Sequence, residues 1–445
     1  MEGLRTGLKL QDFDFVFFTV DYEPNYVNVI KILQKAGIEL LASKRTRPVL
    51  IAGGAAISSN PYVLRPFFDV LCIGEAEVII PEIVSNFKNF DISSFDGKEW
   101  AITQNKRSGK RVYLRDMSLS EAASAFYFPN STFKMNLVEL TRSCPSRCRF
   151  CLLSYNTLPP RWLPISRFND FISMFPENSN LGLVGGSVLE HPEIEEIIKR
   201  SEKFNTINPS SIKISLEIEH ILELLRKKGL ESITIAPETG SDSLRKKLNK
   251  RITNEQILSF MKLLHDLKFK TLKMYFILGL PGEKSEDIEA ILWLLSEISK
   301  KFKGNLEATF SIFVPKPHTP FQYEPLISKK ELHNKLKILK LPKNIRADFG
   351  SYRGAVKQLL FSRGDEELGL KIPEILKGKK IESLIDIDRL IYDSNYVKSL
   401  PFNLVDSGVR AGFLELEREK AEKALNTSPC KPNLCNLCGI CNQLT

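Results

Sequence analysis

Between residues 137 and 314 the chain repeats one pattern: a short apolar run, a turn, then a stretch with helical periodicity. The runs lie at 137–141, 181–184, 212–216, 232–236, 271–278 and 307–314, with helix patterns between them, as at 191–203 and 285–301. Apolar runs of this length bounded by turn residues read as buried strands. Strand–helix units in series imply a parallel, curved sheet wrapped by helices, with its site at the carboxyl ends of the strands. The expected architecture is therefore α/β, a partial (β/α)6 TIM-like barrel over 136–326.

Upstream, strand patterns at 13–20, 48–52 and 68–73 alternate with helix patterns at 26–36 and 76–87, and Gly53 and Gly54 punctuate the chain between them. This predicts a truncated Rossmann-like α/β domain over 1–90, with only about three strands. Residues 91–135 are polar and irregular and read as a connector. Residues 327–425 read as a Lys-rich helical C-terminal region, and 426–445 as a cysteine-rich tail.

No apolar run reaches the roughly 18–20 residues that a membrane span needs. The first residues lack the apolar core of a secretion signal, so a cytoplasmic location with no membrane partner is expected. Lys and Arg number 63 against 53 acidic residues, a net charge of +10. That is compatible with RNA or another polyanion. The bases are dispersed, however, as at 226–228, 246–247 and 377–380, which reads more simply as solvated helix faces.

The eight cysteines are unevenly placed. In a large chain without a secretion signal, metal or cluster ligation is a better reading than disulfides. Cys72 lies in an apolar strand-like run and reads as buried packing. Cys144, Cys148 and Cys151 follow a strand with C-x3-C-x2-C spacing. Three thiolates can bind three irons of a cubane cluster and leave the fourth open, whereas four would close it. The alternative is a zinc site that borrows a distant fourth ligand. Cys430, Cys435, Cys438 and Cys441 offer four soft ligands in a Pro- and Gly-containing loop. They suit an auxiliary [4Fe–4S] cluster, zinc or redox thiols; the two consecutive x2 spacings favour the cluster.

The stretch LTRSCPSRCRFC at 140–151 resembles the signature of the radical S-adenosylmethionine superfamily. The resemblance implies that the open iron chelates S-adenosylmethionine. It further implies that one electron cleaves the sulfonium, and that the resulting 5′-deoxyadenosyl radical abstracts a hydrogen atom. Later segments match in order. GLVGGS at 182–187 resembles the loop whose backbone holds the cofactor's amino group, which points to Gly185, Gly186 and Ser187; paired glycines also let backbone approach a ligand closely. ISLE at 214–217 and APETGS at 236–241 resemble cofactor-lining strands, and Ser215 and Glu238 become candidate polar contacts. In LNKR at 248–251, Lys250 is the preferred partner of the cofactor carboxylate, with Arg251 as the alternative. YFILGLPGE at 275–283 is similar to a strand turn of the family, although Gly and Pro set such a turn unaided.

FVPKPHTPFQ at 313–322, IAGG at 51–54, IGEAE at 73–77 and the cysteine tail resemble the branch with an N-terminal cobalamin-binding-like domain. No His precedes His191, so a histidine ligand to cobalt in that domain is excluded. Cobalamin would bind without a protein ligand, or the domain is a degenerate cap. His318 either faces substrate or fixes a turn; His191, His220, His265 and His333 fall on helix patterns. The implied function is radical modification, by methylation or otherwise, of a substrate C–H position. It would be driven by a one-electron reductant such as ferredoxin or flavodoxin, on RNA, a metabolite or a peptide. The competing reading is a non-catalytic, metal-stabilised RNA-binding or assembly protein.

Overall fold

The structure is a computed structural model and describes residues 6–85, 87, 91–127, 131, 133–432, 434–435 and 437–441. The last four residues of the tail fall outside that set. The chain forms two compact units, one comprising Met1–Leu114, Val314–Leu326 and Arg353–Ala411, the other Arg115–Phe313, Ile327–Tyr352 and Gly412–Thr445.

The first unit is built on a sheet of β1 (Phe15–Thr19), β2 (Val49–Gly53), β3 (Val70–Cys72) and β4 (Ala101–Thr103), in that order. β1, β2 and β3 are parallel; β4 is antiparallel to β3. Alternate residues of β2 enter different cores. Leu50 and Ala52 join Tyr26, Ile30 and Leu33 of the helix Tyr26–Lys35, whereas Ile51 joins Ile79 and Ile83 of the helix Ala76–Ser85. That is the period-two consequence of a sheet covered on both faces.

Two features here differ from the sequence expectation. The stretch read as an irregular connector supplies β4, fully buried and paired along its length with β3. The segment read as a helical C-terminal region contributes Leu360, Phe361, Leu368, Ile372 and Phe402 to the first unit's core. Fully buried Arg363 fastens it there by donating to the carbonyls of Gln322, Glu324 and Leu390. Helix periodicity had shown an apolar face, but periodicity does not name the surface that covers it.

The second unit carries β5 (Asn136–Arg142), β6 (Asn180–Gly185), β7 (Thr206–Pro209), β8 (Ser232–Glu238), β9 (Thr271–Leu278), β10 (Asn305–Ile312) and β11 (Ile345–Phe349). β5, β6 and β7 pair in parallel, as do β8, β9, β10 and β11. The chain leaving β7 spans the two groups: Ser210 donates to Leu183 O of β6, and Ile212 donates to Thr234 O of β8. Strands in sequence order with helices between them give the expected α/β class. The helix Ser285–Lys301 shows the rule, burying Ile288, Ile291, Leu294, Leu295 and Ile298 with Glu286 and Asp287 in its first turn and Lys300 and Lys301 in its last.

The third strand was expected at 212–216, but the ladder runs at Thr206–Pro209. Ile212 and Ile214 are buried, so the alternation was real; it reported burial and not pairing. β11 lies in a stretch read as helical and continues an aromatic stack, Phe276 to Phe310 at 5.3 Å and Phe310 to Phe349 at 4.9 Å.

The first unit holds a buried ion pair between Arg45 and Asp69. Asp69 accepts from Arg45 at 2.7 Å and from the Leu50 amide at 2.7 Å, with side-chain exposures of 1% and 9% for Arg45 and Asp69. Asp69→Ala strands the Arg45 guanidinium in the interior and is expected to cost about 3–5 kcal/mol, read by urea unfolding. A loss below about 1 kcal/mol, the worth of an exposed pair, would show that the carbonyls around Arg45 suffice.

Candidate functional site

The carboxyl ends of β5, β6 and β8 and the chain following β7 open on one cavity of about 560 Å³. Cys144, Cys148 and Cys151 line it, together with Gly185, Gly186, Ser187, Glu238, Lys250 and Arg251. These residues are far apart in sequence, and the strand order brings them together.

The cysteine loop leaves β5 through Ser143, which has a left-handed backbone (φ 73°), and turns again at Arg147 (φ 56°). Such conformations are unfavourable for side-chain-bearing residues and persist only where surroundings impose them. Here the Asn249 side-chain amide donates to the carbonyls of Ser146 and Arg147 at 3.2 and 3.1 Å, and the Tyr155 hydroxyl to Arg147 O at 3.2 Å. Arg149 N donates to Leu248 O at 3.0 Å. Arg149 itself is fully buried, paired with equally buried Glu417 at 3.2 Å and donating to the carbonyls of Lys246, Lys247 and Leu425. Sequence reasoning missed Arg149, Asn249 and Glu417. The one available signal was that two arginines are interleaved with the cysteines.

Burial raises the Cys148 thiol to about 12 and raises Cys151 as well, so both hold their protons until a metal displaces them. Among the described residues no three His, Cys, Asp or Glu side chains stand close enough to hold a single ion. A cubane spreads its thiolates over separate irons, and three thiols lining one cavity suit that arrangement. The donor set fits the cluster.

At the end of β6 the paired glycines have a steric explanation. A Cβ on Gly185 (φ 154°) would lie 2.1 Å from Thr141 Oγ1 and 2.6 Å from Thr141 O. On Gly186 it would lie 2.8 Å from Ser143 O and 3.0 Å from Cys144 Cβ. The glycines therefore let the end of β6 press against β5 and the cysteine loop, and both line the cavity. The Ser187 hydroxyl is hydrogen-bonded to Glu190. Ser215 does not line the cavity: it accepts from Glu217 N at 3.2 Å as a turn cap, and Ser210 and Ser211 line the wall instead.

Glu238 ends β8 after a register shift, with a left-handed backbone (φ 66°), and binds Lys250 Nζ at 2.9 Å. Burial disfavours the Lys250 charge, but Glu238 and the adjacent Cys148 and Cys151 outweigh it and raise the lysine above its ordinary value. Lys250 is thus committed to Glu238. Neighbouring Arg251 also lines the cavity, and its Nε has no hydrogen-bond partner among the described residues. Burial lowers its pKa, the mark of a cation without sufficient countercharge.

The histidines and Cys72 do not line this cavity. His318 is buried in the first unit, its ring against Ser59 O at 3.0 Å, and burial lowers it to about 4. His191 bridges Leu163 O at 2.8 Å and Glu193 N at 3.0 Å. Cys72 is buried in β3, its thiol raised to about 12 by desolvation. The tail cysteines lie in the second unit, where Cys430 N donates to Pro145 O at 2.8 Å and Thr427 N to Asn249 Oδ1 at 2.9 Å.

Residues 138–295 match the radical SAM superfamily, and residues 2–113 match the family of radical SAM proteins, N-terminal. The chain is 28% identical over 398 residues to Uncharacterized protein MJ0966 of Methanocaldococcus jannaschii, covering 86% of this chain and 85% of that one. It is 22% identical over 345 residues to the tRNA-2-methylthio-N(6)-dimethylallyladenosine synthase of Anaplasma marginale, covering 70% and 69%. Its fold is similar to that of TsrM, a radical S-adenosylmethionine methyltransferase from Kitasatospora setae solved with cobalamin and a [4Fe–4S] cluster bound. That match has a TM-score of 0.55 at 13% identity and covers 92% of this chain and 88% of that one.

Gly186→Ala would set a methyl against Ser143 O and Cys144, an overpacking expected to cost about 1–3 kcal/mol. Because the displaced groups carry the first thiol, iron retained per chain after gel filtration should fall. Full iron retention would show that the loop has slack.

Proposed function

The chain belongs to the radical S-adenosylmethionine superfamily, and from that premise we propose that Cys144, Cys148 and Cys151 hold a [4Fe–4S] cluster at which S-adenosylmethionine is cleaved to modify a substrate C–H position. The observation that carries this reading is the single cavity in which the three thiols, the Gly185–Gly186 backbone and Arg251 meet. When bound, the cluster supplies the electron that cleaves the sulfonium and releases the 5′-deoxyadenosyl radical that abstracts hydrogen.

The chain's own residues bind and orient. Arg251, with its unpartnered Nε, is the better counter-ion for the cofactor carboxylate, since Lys250 is held by Glu238. Ile212, Ile214 and Ile252 give the same cavity an apolar wall suited to the adenosine ring. The Glu238–Lys250 pair lines the wall beside the thiols and keeps the half-buried lysine charged.

Cobalamin is assigned no step. At the carboxyl ends of β2 and β3, a Cβ on Gly54 would already meet Val20 O at 2.7 Å and one on Gly74 would meet Val112 O at 2.2 Å. Those close approaches account for both glycines by chain packing alone. Methyl transfer through cobalamin therefore draws no support from them. An RNA substrate is favoured by the net charge of +10 together with the tRNA-modifying activity in the name of the Anaplasma relative.

Anaerobically reconstituted protein given S-adenosylmethionine and a strong reductant should yield 5′-deoxyadenosine, and the Cys144→Ala/Cys148→Ala/Cys151→Ala variant should yield none. Arg251→Gln should weaken S-adenosylmethionine binding about ten- to a hundredfold, the worth of a charged hydrogen bond. Fully loaded protein that forms no 5′-deoxyadenosine would sink the proposal.

A further inference from the structure

The side chain of Arg147 is fully buried, and among the described residues it forms no ion pair with a carboxylate. Its Nη2 donates to Cys435 Sγ at 3.1 Å and approaches Cys438 Sγ at 4.0 Å. Its Nε and Nη1, both buried, have no hydrogen-bond partner among the described residues. A buried cation with two orphaned donors is costly.

Those cysteines are built into the second unit. Cys430 and Cys438 are buried, and the tail is tied down by the Cys430 N to Pro145 O bond and by Thr427, whose hydroxyl donates to Glu417. Ligation of a metal requires thiolates, which would set anions beside the Arg147 guanidinium. Cys435, Cys438 and Cys441 repeat the C-x2-C-x2-C run of iron–sulfur ligands, and Cys430 completes four thiolates.

We propose that Cys430, Cys435, Cys438 and Cys441 hold a second iron–sulfur cluster, and that Arg147 is the positioning residue that anchors it to the loop carrying the first three thiols. Arg147 stands between Cys144 and Cys148 in sequence and touches the tail cysteines through its side chain. One loop thus supplies ligands to one centre and the counter-ion of the other. The position suits electron delivery to the first centre, and only that relation rests on the radical-enzyme reading; the tail cluster itself does not.

Iron, acid-labile sulfide and zinc are counted on anaerobically reconstituted full-length protein, with electron paramagnetic resonance of the reduced samples. Two Cys-ligated cubanes predict about eight irons per chain, falling to about four in the Cys144→Ala/Cys148→Ala/Cys151→Ala variant, whose residual signal belongs to the tail. The Cys430→Ala/Cys435→Ala/Cys438→Ala/Cys441→Ala variant should also keep about four if it folds. About four irons and one zinc in the parent protein, or an iron-free triple variant, would overturn the second cluster. Should the quadruple variant fail to fold, Arg147→Gln decides. With the iron content retained, removal of the positive charge should shift the tail cluster's reduction potential to more negative values and change its resonance signal, with partial rescue in Arg147→Lys. An unchanged potential and signal would overturn the role of Arg147. A triple variant that keeps its four irons, in a protein that makes no 5′-deoxyadenosine, would refute the proposed activity and leave the tail cluster standing.

Discussion

Arg149 is buried between Glu417 and the carbonyls of Lys246, Lys247 and Leu425, and the shape of the cysteine loop follows from that arrangement. One side chain joins the loop after β5, the end of the helix Asp242–Lys247 and the helix Phe413–Glu422. Glu417 is held in turn by the Thr427 hydroxyl and by Lys420 at 2.9 Å. Because both charges are withdrawn from solvent, removing either leaves the other uncompensated, at a far greater cost than breaking a surface pair. The left-handed turns at Ser143 and Arg147 are held by this frame and by Asn249.

Much of this was legible in the sequence, for identifiable reasons. Buried parallel strands are short continuous apolar runs, so their order could be read before any coordinate. Cysteine spacing and its place after β5 gave the candidate ligands. Paired glycines marked a close approach, although the near partner is the backbone of Ser143 and Thr141 as much as any ligand. What could not be read was partnership. Nothing local distinguishes Lys250, spent on Glu238, from Arg251, whose Nε lacks a partner among the described residues. Nor does anything mark Ser215 as a cap, since a serine that caps a turn and one that meets a cofactor look alike until the cavity is traced.

The C-terminal third shows the same limit on a larger scale. Its Lys-rich helices suggested one region, but its contacts are divided. Residues 353–411 complete the core of the first unit, while β11 and the helix Phe413–Glu422 belong to the second. An amphipathic pattern shows that a face is covered and not by what. The tail follows the same logic: four cysteines suggest ligands, and the Arg147 side chain together with the Cys430 N to Pro145 O bond sets them beside the first cysteine loop.

The central claim is that the cavity at the ends of β5, β6 and β8 holds a cluster with one iron open to S-adenosylmethionine. Electron paramagnetic resonance of the reduced protein, recorded before and after S-adenosylmethionine is added to saturation, tests it most directly. The signal that is lost in the Cys144→Ala/Cys148→Ala/Cys151→Ala variant is predicted to change its g-values on addition of S-adenosylmethionine. A cluster at those cysteines whose spectrum is indifferent to saturating S-adenosylmethionine would contradict it.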